Sequence, residues 1–374
     1  MRRFTRLATV GALALGLVAG LAAPGGAIPP GNGQKESLNV VGSDTAYFVM
    51  GGIAGMWNSD TTVNEASPNN DTLFNTPPRL SGAFPTSFHV DGDGTCAALD
   101  YPPLVPPDGS GAGISALIAD GTNGCVDMSR SSRGRGGTDP ANIQFWAYAL
   151  DALTWTSFKG THAPINLTQQ NLIDIYTCNP ATGAPYVSDW SQVGGTAGTI
   201  VKFAPQTLSG TYSFFNSKLL NGAVIDQNCD ANHKSTFAEE HDNTAIPKAK
   251  KPFAINAFSF AQWTAMKNGV IPDRRAGGKL GSINGIKPNG VSINTNPGHF
   301  LGTRYIYNVL KTTEPSYNAT LRFAGVDASG PGFLCKSSTA LRATIKLYGD
   351  EPLNRGVTGP GLPKSFCRLE PTPL

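Results

Sequence analysis

The sequence has little charge, and its charges balance. Only 15% of the 374 residues are Asp, Glu, Lys or Arg. Three of the 29 basic residues, Arg2, Arg3 and Arg6, lie in a leader segment, so the remaining 26 equal the 26 acidic residues. A chain without net charge is poorly suited to bind nucleic acid or an anionic membrane as a bulk partner. Neither is predicted as a partner.

Long apolar runs are absent after the first 23 residues. The one run, from Leu7 to Ala23, follows the three arginines, and small residues follow it, with cleavage positions after Ala23 or Ala27. This pattern is typical of a secretory signal peptide, predicted here as residues 1–27. No cysteine follows the run as a lipid anchor, and no later segment is apolar enough to span a bilayer. The protein is therefore predicted to be secreted or extracytoplasmic.

Common catalytic and metal-binding patterns are also missing. There is no GxSxG elbow and no CxxC pair, and the five histidines lie in polar, loop-like contexts. The segment EEHDN at 239–243 could ligate a metal, but a solvated loop is the interpretation that its composition favours. We predict a protein that is not an enzyme and that needs no metal and no cofactor.

The cysteines are few, even in number and widely spaced. An even count in an exported chain indicates disulfides rather than metal ligation. Six cysteines allow 15 pairings, of which pairing of sequence neighbours is the simplest. The predicted pairs are Cys96–Cys125, Cys178–Cys229 and Cys335–Cys367.

Turn residues are abundant, with 44 Gly and 28 Pro. They separate short apolar segments in which strand-like and helix-like patterns alternate, which predicts an α/β architecture with mainly parallel sheets. Roughly 345 residues remain after the leader, more than one core usually holds, so two domains are expected. The segment 143–155 fits either helix or strand, and a helix is predicted near 304–311.

Three turns rich in Ser and Gly each precede a predicted helix: GSDT at 42–45, GSGAG at 109–113 and SGT at 209–211. Glycine lets an anion approach the backbone, hydroxyls donate hydrogen bonds, and the start of a helix offers free N–H groups. Each turn alone could be an ordinary helix cap. Three in one chain favour a binding site for an oxyanion.

Five motifs in order resemble the phosphate-binding component of the phosphate ABC importer and its relatives. They are GSDTAYFVMGGIAGMWN, DGSGAGISALI, VDMSRSSRG, LTQQNLIDIYTC and APQTLSGTYSFF, and they cover roughly residues 38–310. The resemblance implies a type II periplasmic-binding-protein fold, with two α/β domains around a ligand cleft. It implies a discontinuous first domain, 38–150 and 258–374, and a second domain, 151–257, after a disordered lead-in at 28–37.

The same resemblance implies the ligand and the residues that bind it. The ligand is a small tetrahedral oxyanion, with inorganic phosphate as the first candidate, delivered by a monomer to an ABC permease. Position by position, the matching donors are Thr45, Ala46 through its N–H, Ser110, Ser209, Gly210 and Thr211, and Ser132 is predicted as a further donor at a position where the family differs.

Two positions depart from that family's pattern. The usual Arg before SGT is replaced by Pro205, followed by Gln206, and Ser132 stands where an Asp usually accepts the proton of hydrogen phosphate. Arg130 is the candidate replacement cation, with Arg133 as the second choice. In the alternative interpretation, these arginines lie at the rim of the cleft or pair with acidic residues. A secreted surface or matrix protein that keeps this fold without transport, or with another ligand, is the alternative function.

Overall fold

The computed structural model describes residues 37–59, 72–75, 107–121, 126–295 and 298–374. The predicted signal peptide, nearly all of the lead-in and the predicted Cys96–Cys125 pair lie outside the described residues. The strands of the described part are β1 (Ser37–Gly42), β2 (Thr72–Asn75), β3 (Met128–Ser131), β4 (Ile143–Phe158), β5 (Asn166–Leu167), β6 (Val201–Ala204), β7 (Thr236–Phe237), β8 (Ala254–Ser259), β9 (Gly278–Leu280), β10 (Ser282–Ile283), β11 (Thr303–Lys311), β12 (Val326–Asp327), β13 (Gly330–Pro331), β14 (Glu351–Pro352) and β15 (Arg368–Leu369).

Short helices connect these strands. The α-helices of the described part are α1 (Tyr47–Ser59), α2 (Ser110–Ala119), α3 (Gln169–Tyr176), α4 (Gly210–Phe214), α5 (Phe260–Asn268), α6 (Gly290–Asn294), α7 (Tyr317–Ala324), α8 (Phe333–Lys336) and α9 (Thr339–Leu347). A π-helical segment, Phe215–Leu219, extends α4, and 3₁₀ turns occupy Trp190–Val193, Ala231–His233 and Lys251–Phe253. Within the described ranges, none of the helices combines the length and the apolar character that crossing a bilayer requires.

The main sheet has the strand order β2-β1-β3-β11-β4-β8-β6-β7. At one end β1 pairs in parallel with β2 and β3, and at the other β6 pairs in parallel with β7 and β8. The long strands β4 and β11 join the two ends through antiparallel pairs. The predicted α/β class is confirmed, with the parallel pairs of the main sheet lying in its outer parts.

Strand β4 resolves the open choice between helix and strand at 143–155. All of its residues except Gln144 are buried, because other strands pair along it and core side chains cover it. A strand buried on both faces reads as a continuous apolar run rather than as an alternation. The sequence pattern therefore could not separate strand from helix at this segment.

The predicted helix near 304–311 is wrong. This segment is β11, which lies between β3 and β4 and forms hydrogen-bonded pairs with both. Tyr305, Ile306, Tyr307 and Val309 are of the aromatic and β-branched types that favour strands. Two neighbouring strands satisfy the backbone on both sides of β11, and this tertiary pairing outweighs the helix-like spacing.

Two of the predicted disulfides are confirmed, Cys178–Cys229 and Cys335–Cys367. The first closes a loop that spans 51 positions after α3, and the second connects α8 with the residue before β15. Disulfides persist in oxidising compartments, so this pair of bonds fits an extracytoplasmic location.

Candidate functional site

The first Ser/Gly turn leaves β1 at Gly42 and enters α1. Gly42 has φ 100°, and a Cβ at this position would lie 2.7 Å from the carbonyl oxygen of Arg130, so the turn requires glycine. Beyond it, the hydroxyls of Ser43 and Thr45 lie 2.9 Å apart, and Asp44 Oδ1 accepts the N–H of Thr45 at 2.8 Å. Thr45 and its neighbour Ala46 are buried. The turn is thus fixed by its own short polar side chains.

The second and third turns meet directly. Ser110, the first residue of α2, accepts the N–H of Ser132 at 2.9 Å, and the two hydroxyls lie 3.3 Å apart. Gly210 packs against both: a Cβ on it would lie 2.2 Å from Ser110 Oγ and 2.7 Å from Ser132 Oγ. Three of the predicted donors, from distant parts of the sequence, therefore share one small space.

The third turn caps α4 and carries two further predicted donors. Ser209 Oγ accepts the N–H of Thr211 at 3.0 Å and donates to Glu240 Oε1 at 3.2 Å. Thr211 Oγ1 in turn accepts a hydrogen bond of 2.8 Å from the guanidinium of Arg304. Both hydroxyls are buried, and both contact a charged side chain that the sequence motifs did not indicate.

Arg304 is a buried cation beside the predicted donors. It extends from β11, is 2% exposed, and donates to Asp151 Oδ2 at 3.1 and 2.8 Å as well as to Thr211. Because the segment was predicted as a helix, sequence reasoning missed this residue. The aromatic and β-branched character of 305–309 was the available signal for a strand that would project Arg304 inward.

The arginines of the segment 130–135 have other partners. Arg130, the predicted counter-charge, is fully buried, and its guanidinium donates to the carbonyl oxygens of Val40, Gly42 and Ser43 at 2.7 to 3.2 Å. Burial lowers the pKa of Arg130 to about 10, so it remains a cation at neutral pH.

Arg133 and Arg135 form ion pairs, as the alternative interpretation predicted. Arg133 pairs with Asp139 at 2.6 Å, and Arg135 pairs with Glu370 at 2.5 Å. Both arginines line a pocket of about 650 Å³ that also includes Ser132 and Arg304. The pocket therefore places Ser132 in the same space as the basic side chains of Arg133, Arg135 and Arg304.

Four ionisable side chains, which we call the acidic cluster, lie together where the segment 239–241 meets the first turn: Asp44, Glu239, Glu240 and His241. One ligand atom of each lies within 4.8 Å of all the others. The solvated loop predicted for 239–243 is wrong, since Glu240, His241 and Asn243 are buried and Glu239 is half-buried. Nothing in the composition of EEHDN signals this burial, which comes from packing against the first turn.

Three of the four side chains in the acidic cluster, Glu239, Glu240 and His241, resist ionisation. Burial, followed by the charges of Asp44 and Glu240, raises the pKa of Glu239 to about 10. Burial and the charge of Asp44 raise the pKa of Glu240 to about 8. Burial also lowers the pKa of His241, although the neighbouring carboxylates oppose this shift. The surroundings therefore favour the neutral forms of Glu239, Glu240 and His241, unless a bound cation offsets the negative charge of the carboxylates.

Comparison with solved structures identifies the fold. An ABC-type phosphate transport receptor from Vibrio cholerae is 18% identical, with a TM-score of 0.53 over 84% of this chain and 99% of the receptor. A candidate phosphate ABC transporter substrate-binding protein from Clostridium perfringens, solved with bound phosphate, is 14% identical, with a TM-score of 0.52 over 85% of this chain and all of that one. A DING protein is 12% identical, with a TM-score of 0.50 over 84% of this chain and 91% of that one.

No protein-family profile matches the chain, and no curated protein sequence matches it. At these identities the solved structures establish the fold and leave the ligand to be argued from the site. The chain has the fold of the phosphate transport receptors, which is the type II periplasmic-binding-protein fold that its motifs predicted.

Proposed function

We propose that this protein is an exported substrate-binding protein that holds a small tetrahedral oxyanion, with phosphate as the first candidate. One observation above all supports the proposal: donors from the second turn, the third turn and the end of β3 converge, with Ser110, Ser132 and Gly210 in contact and Thr211 hydrogen-bonded to a buried arginine. Hydroxyls, helix N-termini and a guanidinium are the groups that recognise oxyanions.

Arg304 supplies the positive charge that the sequence lacks at Pro205. Its guanidinium extends from β11 and donates a hydrogen bond to Thr211 in α4. A bound oxyanion that accepts a hydrogen bond from Thr211 would therefore lie close to a buried cation. Asp151 holds the guanidinium in place through two hydrogen bonds. Arg130 donates to the carbonyl oxygens of Val40, Gly42 and Ser43, and in this proposal it contributes its charge at longer range.

Glu240 gives the proposed site a carboxylate that Ser132 does not supply. Its Oε1 accepts from Ser209 Oγ and therefore lies beside the proposed donors. The pKa of Glu240 is raised to about 8, so the group becomes a carboxylate as the pH rises above 8 and can then accept the proton of hydrogen phosphate, whereas sulfate has no proton to donate. We therefore propose that phosphate is preferred over sulfate.

The proposed cycle follows the fold. The segments 38–150 with 258–374 and the segment 151–257 would close on the anion by a hinge, and an ABC permease would receive it. The solved structures with this fold are named as binding proteins or transport receptors, in agreement with a function that has no catalytic step. The protein would act as a monomer.

Isothermal titration calorimetry with the mature chain, stripped of ligand by unfolding and refolding with its disulfides intact, tests the proposal. Phosphate should bind in the micromolar range or tighter, with sulfate weaker. Thr211→Val, Ser110→Ala and Arg304→Lys should each weaken phosphate binding by about tenfold or more, because each removes a hydrogen bond worth roughly 1 to 3 kcal/mol.

Thr295→Val is the matched control for Thr211→Val. Thr295 is exposed, and its hydroxyl donates only to the carbonyl oxygen of Val291 in its own helix. This variant should bind phosphate like the unmodified protein. A folded protein that binds neither anion would contradict the proposal and would point to the surface role instead.

A further inference from the structure

The acidic cluster offers the donor set of a metal site. Asp44, Glu239 and Glu240 provide carboxylate oxygens and His241 an imidazole nitrogen, with one atom of each within 4.8 Å of the rest. Three oxygens and one nitrogen suit a divalent first-row transition metal such as Mn²⁺ or Zn²⁺. Ligand bonds of roughly 2.0–2.2 Å place two opposite donors up to about 4.4 Å apart and adjacent donors closer together, so the four side chains would draw inward around a bound ion.

The cluster atoms also lack hydrogen-bond partners. Among the described residues, Asp44 Oδ2, Glu239 Oε2, Glu240 Oε2 and His241 Nδ1 are buried with no hydrogen bond. Asp44, Glu240 and His241 are each less than 5% exposed, and His241 Nδ1 lies 3.4 Å from Asp44 Oδ2. Buried polar atoms are normally satisfied, and several at one point indicate a missing cation or water.

The position of the cluster gives such a cation a role. Asp44 directly precedes Thr45, and Glu240 Oε1 accepts from Ser209, so the cluster touches two of the three oxyanion turns. The side-chain amide of Gln262 donates to the carbonyl oxygens of Asp44 and Thr45, which fixes the first turn against α5. Where these carboxyl groups ionise, their negative charge repels an anion unless a positive charge offsets it.

We propose that Asp44, Glu239, Glu240 and His241 bind one divalent transition-metal ion, and that this ion draws the oxyanion to the neighbouring turns. The metal site itself stands on the donor geometry and the unsatisfied atoms. The coupling to the oxyanion rests on the proposed function. The cation replaces in part the charge that is lost where Pro205 stands.

Metal binding is measured first without phosphate. The mature chain is treated with EDTA, the chelator is removed, and Mn²⁺ and Zn²⁺ are titrated in separate calorimetric experiments, with the Mn²⁺ signal followed by electron paramagnetic resonance. One ion should bind per chain with micromolar or tighter affinity. Glu240→Gln and His241→Ala should each weaken binding by at least tenfold.

Two controls separate metal binding from folding. Glu370→Gln alters an exposed carboxylate that pairs with Arg135 and is not a member of the cluster, so metal affinity should not change. In the metal-free state Glu240→Gln should melt at the same temperature as the unmodified protein or higher, because it removes one member of a repulsive group. A lower melting temperature without metal would overturn the assignment of these carboxylates to a metal site.

Phosphate is then titrated with and without the metal. A phosphate affinity at least tenfold higher in the metal-loaded protein supports the full proposal. Phosphate binding without any metal binding would overturn the metal site and leave the oxyanion function intact. Metal binding with no phosphate binding in either state would support the metal site and overturn the oxyanion function.

Discussion

At the scale of the residue, burial and partners decide what a charged side chain can do. Arg130 and Arg304 are both buried, but one donates to backbone carbonyls and the other to Thr211 and Asp151. Their sequence neighbourhoods do not reveal this difference, because the contacts of Arg304 span 93 and 153 positions. Residue type and spacing predicted the three Ser/Gly turns as oxyanion donors, and only tertiary packing revealed Arg304 beside the third of them.

The Arg133–Asp139 pair leads to a prediction on pH. Burial alone would raise the pKa of Asp139, but hydrogen bonds from the Arg133 guanidinium and the Gly136 N–H outweigh it, so the pKa lies below the usual value. The unfolded chain therefore binds a proton more readily, and this stability is present above the unfolded pKa of about 3.9 and is lost as the pH falls through the folded one.

Asp139→Asn measures this contribution. The variant should lower the free energy of unfolding by up to about 1 kcal/mol near pH 7, a value kept small by solvent screening of the pair. The difference from the unmodified protein should shrink at about pH 3, where Asp139 is protonated in the unfolded chain. Denaturant titrations at both pH values provide the comparison, and a difference that is independent of pH would contradict the assigned ion pair.

At the scale of the element, the known preferences of residues for helix ends account for features that depend on neighbours in sequence. Thr168, a residue type that favours helix N-termini, caps α3 by accepting the N–H of Asn171. Ser259 does the same between β8 and α5, accepting the N–H of Gln262. Elements that depend on distant partners were missed. Strand β11 pairs with β3 and β4 on its two sides, and the segment 239–243 is buried against the first turn and against β8.

Helix α1 contains a pair of glycines that test how closely it packs. A Cβ at Gly55 would meet no atom within 4 Å, whereas a Cβ at Gly52 would lie 2.4 Å from the ring of Tyr348. Gly55→Ala should raise the free energy of unfolding by about 0.5–1 kcal/mol, because alanine costs less conformational entropy in a helix. Gly52→Ala should lower it, because the methyl group displaces the ring.

Thermal and denaturant unfolding of both variants decide the point. Each variant is the control for the other, since the change in helix propensity is the same and only the surroundings differ. Equal stabilisation by both would mean that α1 does not pack on Tyr348 as closely as the structure has it. Destabilisation by both would contradict the open surface at Gly55.

At the scale of the whole molecule, one continuous sheet connects the parts of the proposed site. Strand β3 leads to Ser132, β11 carries Arg304, and β6 precedes the turn with Ser209, so their order in the sheet brings distant segments together. The order of motifs predicted this fold from a resemblance. The order of strands and the antiparallel pairing of β4 and β11 could not be read from the sequence, because strand propensity does not specify neighbours.

Removal of each of the two described disulfides is predicted to affect the free energy of unfolding but not the affinity for phosphate. The Cys178–Cys229 bond closes a loop that contains the third oxyanion turn, whereas the Cys335–Cys367 bond closes a loop of 32 positions that contains no proposed ligand donor. Loop closure mainly restricts the unfolded chain, and its effect depends on the logarithm of loop length. Replacing either pair by serines should therefore lower the free energy of unfolding by a similar amount, about 4 kcal/mol.

Phosphate binding should nevertheless survive the loss of Cys178–Cys229. The third turn is held locally, by the hydrogen bond from the Ser209 N–H to the carbonyl oxygen of Gln206 and by the bond from the Gly111 N–H to Leu208. Because these contacts remain in the folded protein, the dissociation constant should stay within about twofold while the unfolding midpoint falls. Calorimetric titration and denaturant unfolding of the Cys178→Ser, Cys229→Ser variant, with the Cys335→Ser, Cys367→Ser variant as control, make both measurements. A loss of affinity in the first variant alone would mean that the disulfide positions the turn, and that the local hydrogen bonds are insufficient to hold it.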